Sequence, residues 1–225
     1  MRVLVLIPAL NLADRIGSLL HSLRTLAPEA EILVVDDGST DGTAGAARAV
    51  EGVRVLVHPE NRGKGAALRT GFEVALRERF DAVVTMDGDG QHPPKCVPEF
   101  VGHAEATGAD LVVGTRERRG TRMPLHRRMS NKMSTWFASK AAGTKLPDSQ
   151  SGYRLVRTRV IEAVPTRSDR YEMETEFLIG AARRGFRIEG MPIPTVYADE
   201  RSHIHVLRDT GLFLKLLWSM RGGRS

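Results

Sequence analysis

The sequence has little cysteine, few aromatic residues and no long apolar run. Cys96 is the single cysteine among 225 residues, which excludes an internal disulfide and a zinc cluster and favours a reducing compartment. No stretch reaches the roughly 20 apolar residues that a membrane-spanning helix requires, since even segment 211–220 contains Lys215. The sequence therefore predicts a protein that is soluble or lies on a membrane surface.

Positive charge exceeds negative charge, and the excess is concentrated in one segment. The chain has 33 lysine and arginine residues against 27 acidic residues, and between 116 and 132 only Glu117 is acidic. The basic residues of this block are Arg116, Arg118, Arg119, Arg122, Arg127, Arg128 and Lys132. The block indicates an anionic partner, either nucleic acid, acidic lipid or a phosphorylated substrate. Because the block has few aromatic residues for base stacking and matches no nucleic-acid module, we expect no nucleic-acid partner.

Short apolar runs alternate with helical patterns through the first half of the chain. The runs predict strands at 2–7, 31–35, 53–57, 81–86 and 109–113, separated by helices near 12–26, 41–50, 63–78 and 95–106. This alternation is typical of a mainly parallel, Rossmann-like sheet flanked by helices in one α/β domain. The strand pattern fades after Gly114. A later helix is predicted from about 171 to 185, and its early acids suit the helix dipole or serve in the chemistry.

Polar loops follow the predicted strands at 8–11, 36–43 and 87–92, and another comes shortly after the third strand at 61–65. Ligands of parallel α/β sheets bind beyond the carboxyl ends of the strands. We therefore expect these four loops to share one edge of the sheet and to form the binding site.

The loop after the fourth strand contains two carboxylates. Asp87 and Asp89 are two residues apart and can point the same way. Two carboxylates that lie so close repel each other unless a cation lies between them, and Mg²⁺ or Mn²⁺ with added phosphate oxygens fits. Such an ion would stabilise the charge that develops on a leaving nucleoside diphosphate. Surface turns also produce this spacing, so it is the position after a buried strand that favours a metal site.

The loop after the second strand begins with two consecutive acids, Asp36 and Asp37. Its structural interpretation is a glycine turn before a helix capped by Ser39, Thr40 or Asp41. A cap does not require two acids, and carboxylates at this place can accept hydrogen bonds from a nucleotide.

The segment 62–65, Arg-Gly-Lys-Gly, places two cations and two glycines at a predicted helix N-terminus, which attracts diphosphate. It lacks the spacing of a P-loop. The structural alternative is that the glycines allow this helix to pack closely on the strand.

Five motifs in unbroken order, at 8–11, 36–43, 62–67, 87–94 and 148–154, resemble the family-2 inverting glycosyltransferases of the GT-A fold. Within that family the chain is most similar to the dolichyl- or polyprenyl-phosphate sugar synthases, over about residues 1–210. The resemblance implies transfer of a hexose from a GDP- or UDP-hexose donor to a polyprenyl phosphate, with Mg²⁺ or Mn²⁺. It further implies a nucleotide-sugar-binding half at 1–114 and an acceptor-binding half at 115–210, before an amphipathic helix and tail at 211–225.

The resemblance also implies roles for single residues. Those expected to bind the donor are Pro8, Leu10, Asp36, Asp37, Lys64 and Asp87. The expected metal ligands are Asp87, Asp89 and Gln91, and the expected catalytic residues are Asp89, Arg116 and Asp148. The acceptor phosphate is expected to meet Arg116, Arg127, Arg128, Ser130, Arg154 and Arg201. The family usually has an acid after Asn11, where this chain has Leu12. This departure leaves open which nucleobase the donor carries.

The nucleophile separates the alternatives. An alcohol must lose a proton as it attacks and needs a carboxylate base, for which Asp148 or Glu172 is available. A phosphate monoester is already anionic and needs cations, which the basic block, Arg154 and Arg201 supply. The sequence thus favours polyprenyl phosphate over a sugar or lipid hydroxyl. A catalytically idle nucleotide-sugar-binding protein is a further alternative, which the completeness of the metal and diphosphate loops disfavours.

Segment 211–225 has apolar residues at helical spacing together with basic residues, and such a helix can lie in a membrane interface. The alternative is an ordinary packed helix. We expect a peripheral protein at the cytoplasmic face of a membrane, an arrangement compatible with a membrane-protein partner or a homo-oligomer.

Overall fold

The computed structural model describes residues 1–116 and 125–194, and for residues 116, 125–128 and 130 it describes the backbone alone. The strands are β1 (Val3–Ala9), β2 (Glu31–Asp36), β3 (Val53–Val57), β4 (Ala82–Thr85), β5 (Leu111–Arg116), β6 (Arg154–Arg157) and β7 (Ile188–Ile193). The helices are α1 (Ala13–Leu26), α2 (Thr43–Arg48), α3 (Lys64–Arg77), α4 (Cys96–Thr107), α5 (Leu125–Ala142), α6 (Thr158–Ala163) and α7 (Glu172–Arg183). The predicted C-terminal helix lies outside the described residues.

The strands form one sheet in the order β3-β2-β1-β4-β6-β5-β7. The pairs β1–β2, β1–β4, β2–β3 and β5–β7 are parallel, whereas β6 runs antiparallel to both β4 and β5. The predicted strands and helices of the first half are confirmed, and so is a mainly parallel α/β sheet flanked by helices. The sequence pattern of strands fades after Gly114, but the sheet continues with β6 and β7.

The continuous apolar character of β1 follows from burial on both faces of the sheet. Successive side chains of a strand point to opposite faces, so Val5 joins a core cluster with Ile16 of α1 and Phe100 of α4. Leu4 joins the other cluster with Leu68 of α3. Each large apolar side chain buried in this way contributes about 1.5–3 kcal/mol to stability. Of the helices in the described ranges, none is long and apolar enough to cross a bilayer.

Helix α3 packs on β1 through Gly71. A Cβ added at this glycine would lie 2.2 Å from one methyl carbon of Leu6 and 2.4 Å from the other. Leu6 is fully buried, so its side chain has no empty space to move into. The small residue therefore sets how closely α3, which begins with Lys64, approaches the centre of the sheet.

We predict that Gly71→Ala destabilises the protein by about 1–3 kcal/mol, because the overpacking against Leu6 outweighs the gain in helix propensity. Gly17→Ala in α1 is the matched control, since a Cβ there meets nothing within 4 Å. The control should stabilise by about 0.5–1 kcal/mol. Urea unfolding followed by circular dichroism measures both changes, and equal effects of the two substitutions would contradict the packing account.

Candidate active site at the carboxyl edge of the sheet

The reversed direction of β6 brings an additional loop to the carboxyl edge of the parallel strands. Arg154, the first residue of β6, pairs with Thr85, the last residue of β4. The residues just before β6 therefore lie beside the loop that follows β4, and the Thr85 hydroxyl donates a hydrogen bond of 2.9 Å to the Gly152 carbonyl. The site is thus built from loops that follow parallel strands and from one loop that precedes an antiparallel strand.

An ion-paired group occupies the centre of this edge. The Lys64 ammonium at the start of α3 lies 2.6 Å from Oδ1 of Asp87 and 2.9 Å from Oε2 of Glu174 in the first turn of α7. The side chains of Asp87, Lys64 and Glu174 are 30%, 16% and 12% exposed. Lys64 and Asp87, predicted separately as donor-binding residues, are therefore direct neighbours. Glu174 is one of the early acids of the helix predicted from about 171 to 185, and its pairing with Lys64 was not predicted.

The pair Asp87 and Asp89 is electrostatically strained. Burial alone would raise the pKa of Asp87, but the charge of Lys64 outweighs it and lowers that pKa to about 2. Burial also disfavours the Lys64 ammonium, yet the carboxylates of Asp87 and Glu174 raise its pKa above the ordinary value. Burial, and then the charge of Asp87, raise the pKa of Asp89. A divalent cation placed between two such carboxylates relieves their repulsion.

The donor set at this pair suits a hard divalent ion that takes part of its ligands from a substrate. Oδ1 of Asp89 accepts a hydrogen bond of 2.9 Å from the Gln91 backbone N–H, which bends the loop there. Among the described side chains, no group of three or more His, Cys, Asp or Glu is placed to hold a metal. Mg²⁺ is commonly bound by one or two carboxylates together with substrate phosphates. The roles of Asp87, Asp89 and Gln91 as metal ligands stay a prediction.

Aromatic residues fix the loop that carries these carboxylates. The His92 ring stacks on Tyr153 with ring centroids 4.8 Å apart, and the Tyr153 hydroxyl donates to the Pro93 carbonyl at 3.0 Å. Nδ1 of His92 accepts a hydrogen bond of 3.2 Å from the Asp87 backbone N–H. His92 and Tyr153 lie in the sequence motifs at 87–94 and 148–154, in which no role was predicted for either residue.

The two acids that end β2 are both buried. Asp36 accepts a hydrogen bond from the Ser39 backbone N–H at 2.9 Å. Asp37 accepts from the backbone N–H groups of Arg62 and Gly63, at 3.0 and 2.7 Å. Asp37 also lies 2.7 Å from the His58 ring. Asp37 therefore holds the entry to α3, and the expected contact of both acids with a nucleoside stays a prediction.

Asp41, one of the predicted caps, stabilises the starts of two helices from outside their N-cap positions, which are Leu12 and Gly42. Its carboxylate accepts hydrogen bonds of 3.0 Å from the backbone N–H groups of Ala13 and Thr43, which begin α1 and α2. At the end of β1, Pro8 is half-buried and Leu10 is 40% exposed at the same edge of the sheet.

The glycines before and within α3 allow close packing on the loop before α7 rather than on a strand. A Cβ at Gly63 would lie 2.4 Å from the Asp169 carbonyl oxygen, and one at Gly65 would lie 2.8 Å from the Arg170 carbonyl oxygen. The Asp169 carbonyl also accepts a hydrogen bond of 3.1 Å from the Ala66 N–H. The backbone at the start of α3 is therefore held in place, which leaves the Lys64 side chain as its adjustable part.

Arg154, expected at the acceptor phosphate, is 3% exposed and donates hydrogen bonds to three backbone carbonyls. The acceptors are Ser151 at 2.7 Å, Glu174 at 2.6 Å and Ser149 at 3.0 Å. Burial, the dominant influence, lowers its pKa. Arg154 thus joins the loop before β6 to α7, and its contact with phosphate stays a prediction.

The other residues expected at the acceptor lie where their side chains are not described. Arg116 ends β5, and Arg127, Arg128 and Ser130 belong to the first half of α5. Arg201 lies outside the described residues. Asp148 is half-buried and accepts a hydrogen bond of 3.1 Å from the Gln150 N–H.

An open cavity of about 810 Å³ adjoins this edge between β5, α5 and the loop that follows α5. Asp148 and Thr115 lie in its wall. The remaining lining residues are Lys132, Thr135, Trp136, Ser139, Lys140, Gly143, Thr144, Lys145, Leu146 and Pro147. The cavity therefore combines lysines with apolar groups beside a carboxylate.

A mainly parallel sheet that presents paired carboxylates and a lysine beyond its strand ends defines a class of nucleotide-binding α/β proteins. Residues 4–164 match Glycosyl transferase family 2, and the chain belongs to this family. It is a nucleotide-sugar-dependent glycosyltransferase of the GT-A fold, which confirms the predicted family, fold and enzyme class. The alternative of a catalytically idle nucleotide-sugar-binding protein does not agree with this enzyme class.

Several known proteins are similar over most of the chain. An undecaprenyl-phosphate mannosyltransferase of Micrococcus luteus is 36% identical over 206 residues, which cover 87% of this chain and 84% of that protein. A polyprenol monophosphomannose synthase of Mycolicibacterium smegmatis is 30% identical over 203 residues, with coverages of 85% and 76%. These relatives confirm the resemblance to polyprenyl-phosphate sugar synthases.

A solved structure shares the fold at low sequence identity. Glucosyl-3-phosphoglycerate synthase from Mycobacterium tuberculosis, in complex with Mn²⁺, UDP and phosphoglyceric acid, superposes with a TM-score of 0.76 at 24% identity. The match covers 98% of this chain and 78% of that one.

We predict that Gly152→Ala lowers turnover by about 100-fold, the order of loss that an error of about 1 Å in a site can cause. The new Cβ would lie 2.8 Å from Oδ2 of Asp87 and 2.9 Å from Nζ of Lys64, which forces the ion pair apart. Gly102→Ala in α4 is the control, because a Cβ there meets nothing within 4 Å. Initial rates of both variants, with thermal unfolding to verify the fold, measure the effect. Wild-type activity of Gly152→Ala would show that the position of this pair does not matter.

Proposed function

We propose that the enzyme transfers a hexose from a nucleotide-sugar donor to a polyprenyl phosphate with the help of Mg²⁺ or Mn²⁺. The observation that carries this proposal is the position of the lysine-lined, partly apolar cavity beside the edge of the sheet that holds Asp87 and Lys64. A donor diphosphate at the carboxylates and an anionic, lipid-linked acceptor in the cavity would thus meet at one edge.

At the donor end, Asp87 and Asp89 would hold the divalent ion. When bound, the ion supplies positive charge that stabilises the leaving nucleoside diphosphate. The Lys64 ammonium adds a second cation at the start of α3, where backbone N–H groups also favour phosphate. The mycobacterial synthase, which shares the fold, was solved with Mn²⁺ and UDP, and this supports a divalent ion and a nucleotide as ligands of the enzyme.

At the acceptor end, the cavity provides cations and an apolar wall. Lys132, Lys140 and Lys145 would attract a phosphate, while Trp136 and Leu146 would contact the first isoprene units. A phosphate monoester is ionised at neutral pH, so the enzyme needs no base to activate it. The similarity to an undecaprenyl-phosphate mannosyltransferase and to a polyprenol monophosphomannose synthase supports the same acceptor class.

A lipid-linked acceptor requires the enzyme to meet a membrane, and α5 has a suitable surface. Met129, Met133 and Trp136 follow one another at i, i+4 and i+7 on this helix and are 73%, 56% and 55% exposed. No acidic residue occurs between Glu117 and Asp148. Apolar side chains in a stretch of sequence that has basic but no acidic residues suit an interface with anionic lipids. The single cysteine is consistent with the reducing, cytoplasmic face.

A hydroxyl acceptor is the second candidate, because Asp148 lines the same cavity and a carboxylate there can serve as a base. The two candidates differ in what they require of the enzyme. The phosphate acceptor depends on the lysines of the cavity, and the hydroxyl acceptor depends on Asp148.

We predict product formation with a short polyprenyl phosphate and none with the matching polyprenol, across a panel of GDP- and UDP-hexoses with Mn²⁺. Asp148→Asn should then keep most of its activity. Lys132→Ala with Lys145→Ala should raise the acceptor KM by about tenfold, as expected for weakened charge-assisted contacts. Lys95→Ala, outside the cavity, is the control. Transfer to the alcohol, together with loss of activity in Asp148→Asn alone, would instead establish the hydroxyl acceptor.

We predict that the wild-type protein floats with liposomes rich in anionic lipid and that Met133→Ser with Trp136→Ser strongly reduces the bound fraction. Leu26→Ser is the matched control, since Leu26 is 46% exposed at the far end of α1. About 0.5 M salt should weaken binding, because the Debye length then falls to a few Å. Equal flotation of wild type and the double variant would exclude this surface of α5.

A further inference from the structure

Lys64 contacts a carboxylate for which a bound metal ion would compete. Its ammonium lies 2.6 Å from Oδ1 of Asp87, one of the two carboxylates assigned to the divalent ion. The lysine is therefore a cation of the protein itself at the carboxylate pair. Two cations that share one carboxylate repel each other, so each lowers the affinity of the site for the other.

The second partner of Lys64 gives the ammonium an alternative position. Glu174 Oε2 lies 2.9 Å from the same nitrogen. Glu174 belongs to the first turn of α7, and its carbonyl accepts a hydrogen bond of 2.6 Å from the buried Arg154 guanidinium. The backbone at Glu174 is thus held independently of Asp87, and its carboxylate keeps part of the interaction with Lys64 away from the carboxylate proposed to bind the metal.

Only the side chain of Lys64 is free to redirect. Asp37 holds the Gly63 N–H at 2.7 Å, and the Asp169 carbonyl accepts from the Ala66 N–H at 3.1 Å. The lysine stem has four carbons and rotatable bonds, so its ammonium can leave Asp87 for a nearby phosphate while the backbone stays in place.

We propose that Lys64 is an internal cation that stabilises Asp87 before the donor binds, opposes the divalent ion at that carboxylate, and turns to the donor diphosphate afterwards. Glu174 is the positioning residue that holds the ammonium partly away from Asp87. This inference rests on the proposed function, since it requires a site for metal and diphosphate. Its consequence is that Lys64 weakens the binding of metal alone and strengthens the binding of nucleotide.

The test measures the affinity for Mn²⁺ without nucleotide, by electron paramagnetic resonance of the free ion. The affinities for UDP and for GDP without metal are measured by calorimetry. Lys64→Gln should bind Mn²⁺ about tenfold more tightly than wild type and the preferred nucleotide about tenfold more weakly, because a partly buried unit charge at contact distance is worth at least that factor. Glu174→Gln should bind Mn²⁺ more weakly than wild type, by a factor of about three or more. Lys64 then pairs with Asp87 alone, and the site has lost one negative charge.

Two controls separate this role from damage to the fold. Arg77→Gln removes one positive charge from the other end of α3, where the side chain is 72% exposed, and should change neither affinity by more than about twofold. Lys64→Arg keeps the charge and should bind nucleotide and Mn²⁺ much as wild type does. A variant that is merely misfolded would lose both ligands, whereas the inference predicts changes of opposite sign.

Suppose that wild type binds Mn²⁺ and that Lys64→Gln binds it no more tightly. This result would overturn the inference and leave the proposed function standing. Absence of Mn²⁺ binding by every form, with or without nucleotide, would overturn both.

Discussion

The carboxyl edge of the sheet depends on one partly buried lysine that neutralises carboxylates from two other segments. Lys64 begins α3, Asp87 follows β4 and Glu174 lies in the first turn of α7. The Lys64 ammonium lies 2.6 Å from the Asp87 carboxylate and 2.9 Å from that of Glu174. Partly buried charges are costly unless they are paired, so these segments must come together in one arrangement. Gly152 fits against the Asp87–Lys64 pair without a side chain, and Gly65 allows the loop before α7 to approach α3.

The same arrangement accounts for the chemistry. Two carboxylates, Asp87 and Asp89, are held close enough that the charge of one raises the pKa of the other. In the proposed function that repulsion would favour a bound divalent ion, and the lysine would attract a diphosphate to this edge. The lysine-lined cavity beside Asp148 would give the acceptor a separate entrance. Membership of Glycosyl transferase family 2 agrees with a site organised in this way.

The first half of the fold could be predicted from the sequence because its strands are buried on both faces. Apolar runs such as 3–7 and 82–84 are unbroken, and turn residues separate them from helices. Strands β6 and β7 gave no such pattern. β6 has four residues and an arginine at each end, and β7 contains Gly190 and Pro192. The reversal of β6 depends on tertiary packing, and it is what brings Gly152 to the site.

The same limit applies to single residues. Asp87 and Asp89 were recognisable because they follow a buried strand at a spacing of two. The pairing of Lys64 with Glu174 was not, because it joins helices that are distant in the sequence. Asp37, predicted from its position to bind a nucleoside, uses its oxygens to hold the entry to α3.

The proposed function requires Asp87 and Asp89 together to bind the divalent ion that contacts the donor diphosphate. An anomalous difference map recorded at the manganese edge, from crystals grown with Mn²⁺ and UDP or GDP, tests it most directly. The account predicts one peak between the two carboxylates, on the order of 2–2.5 Å from an oxygen of each and of the diphosphate. A map with the nucleotide in place but with no peak at this pair, or with the peak elsewhere, would contradict it.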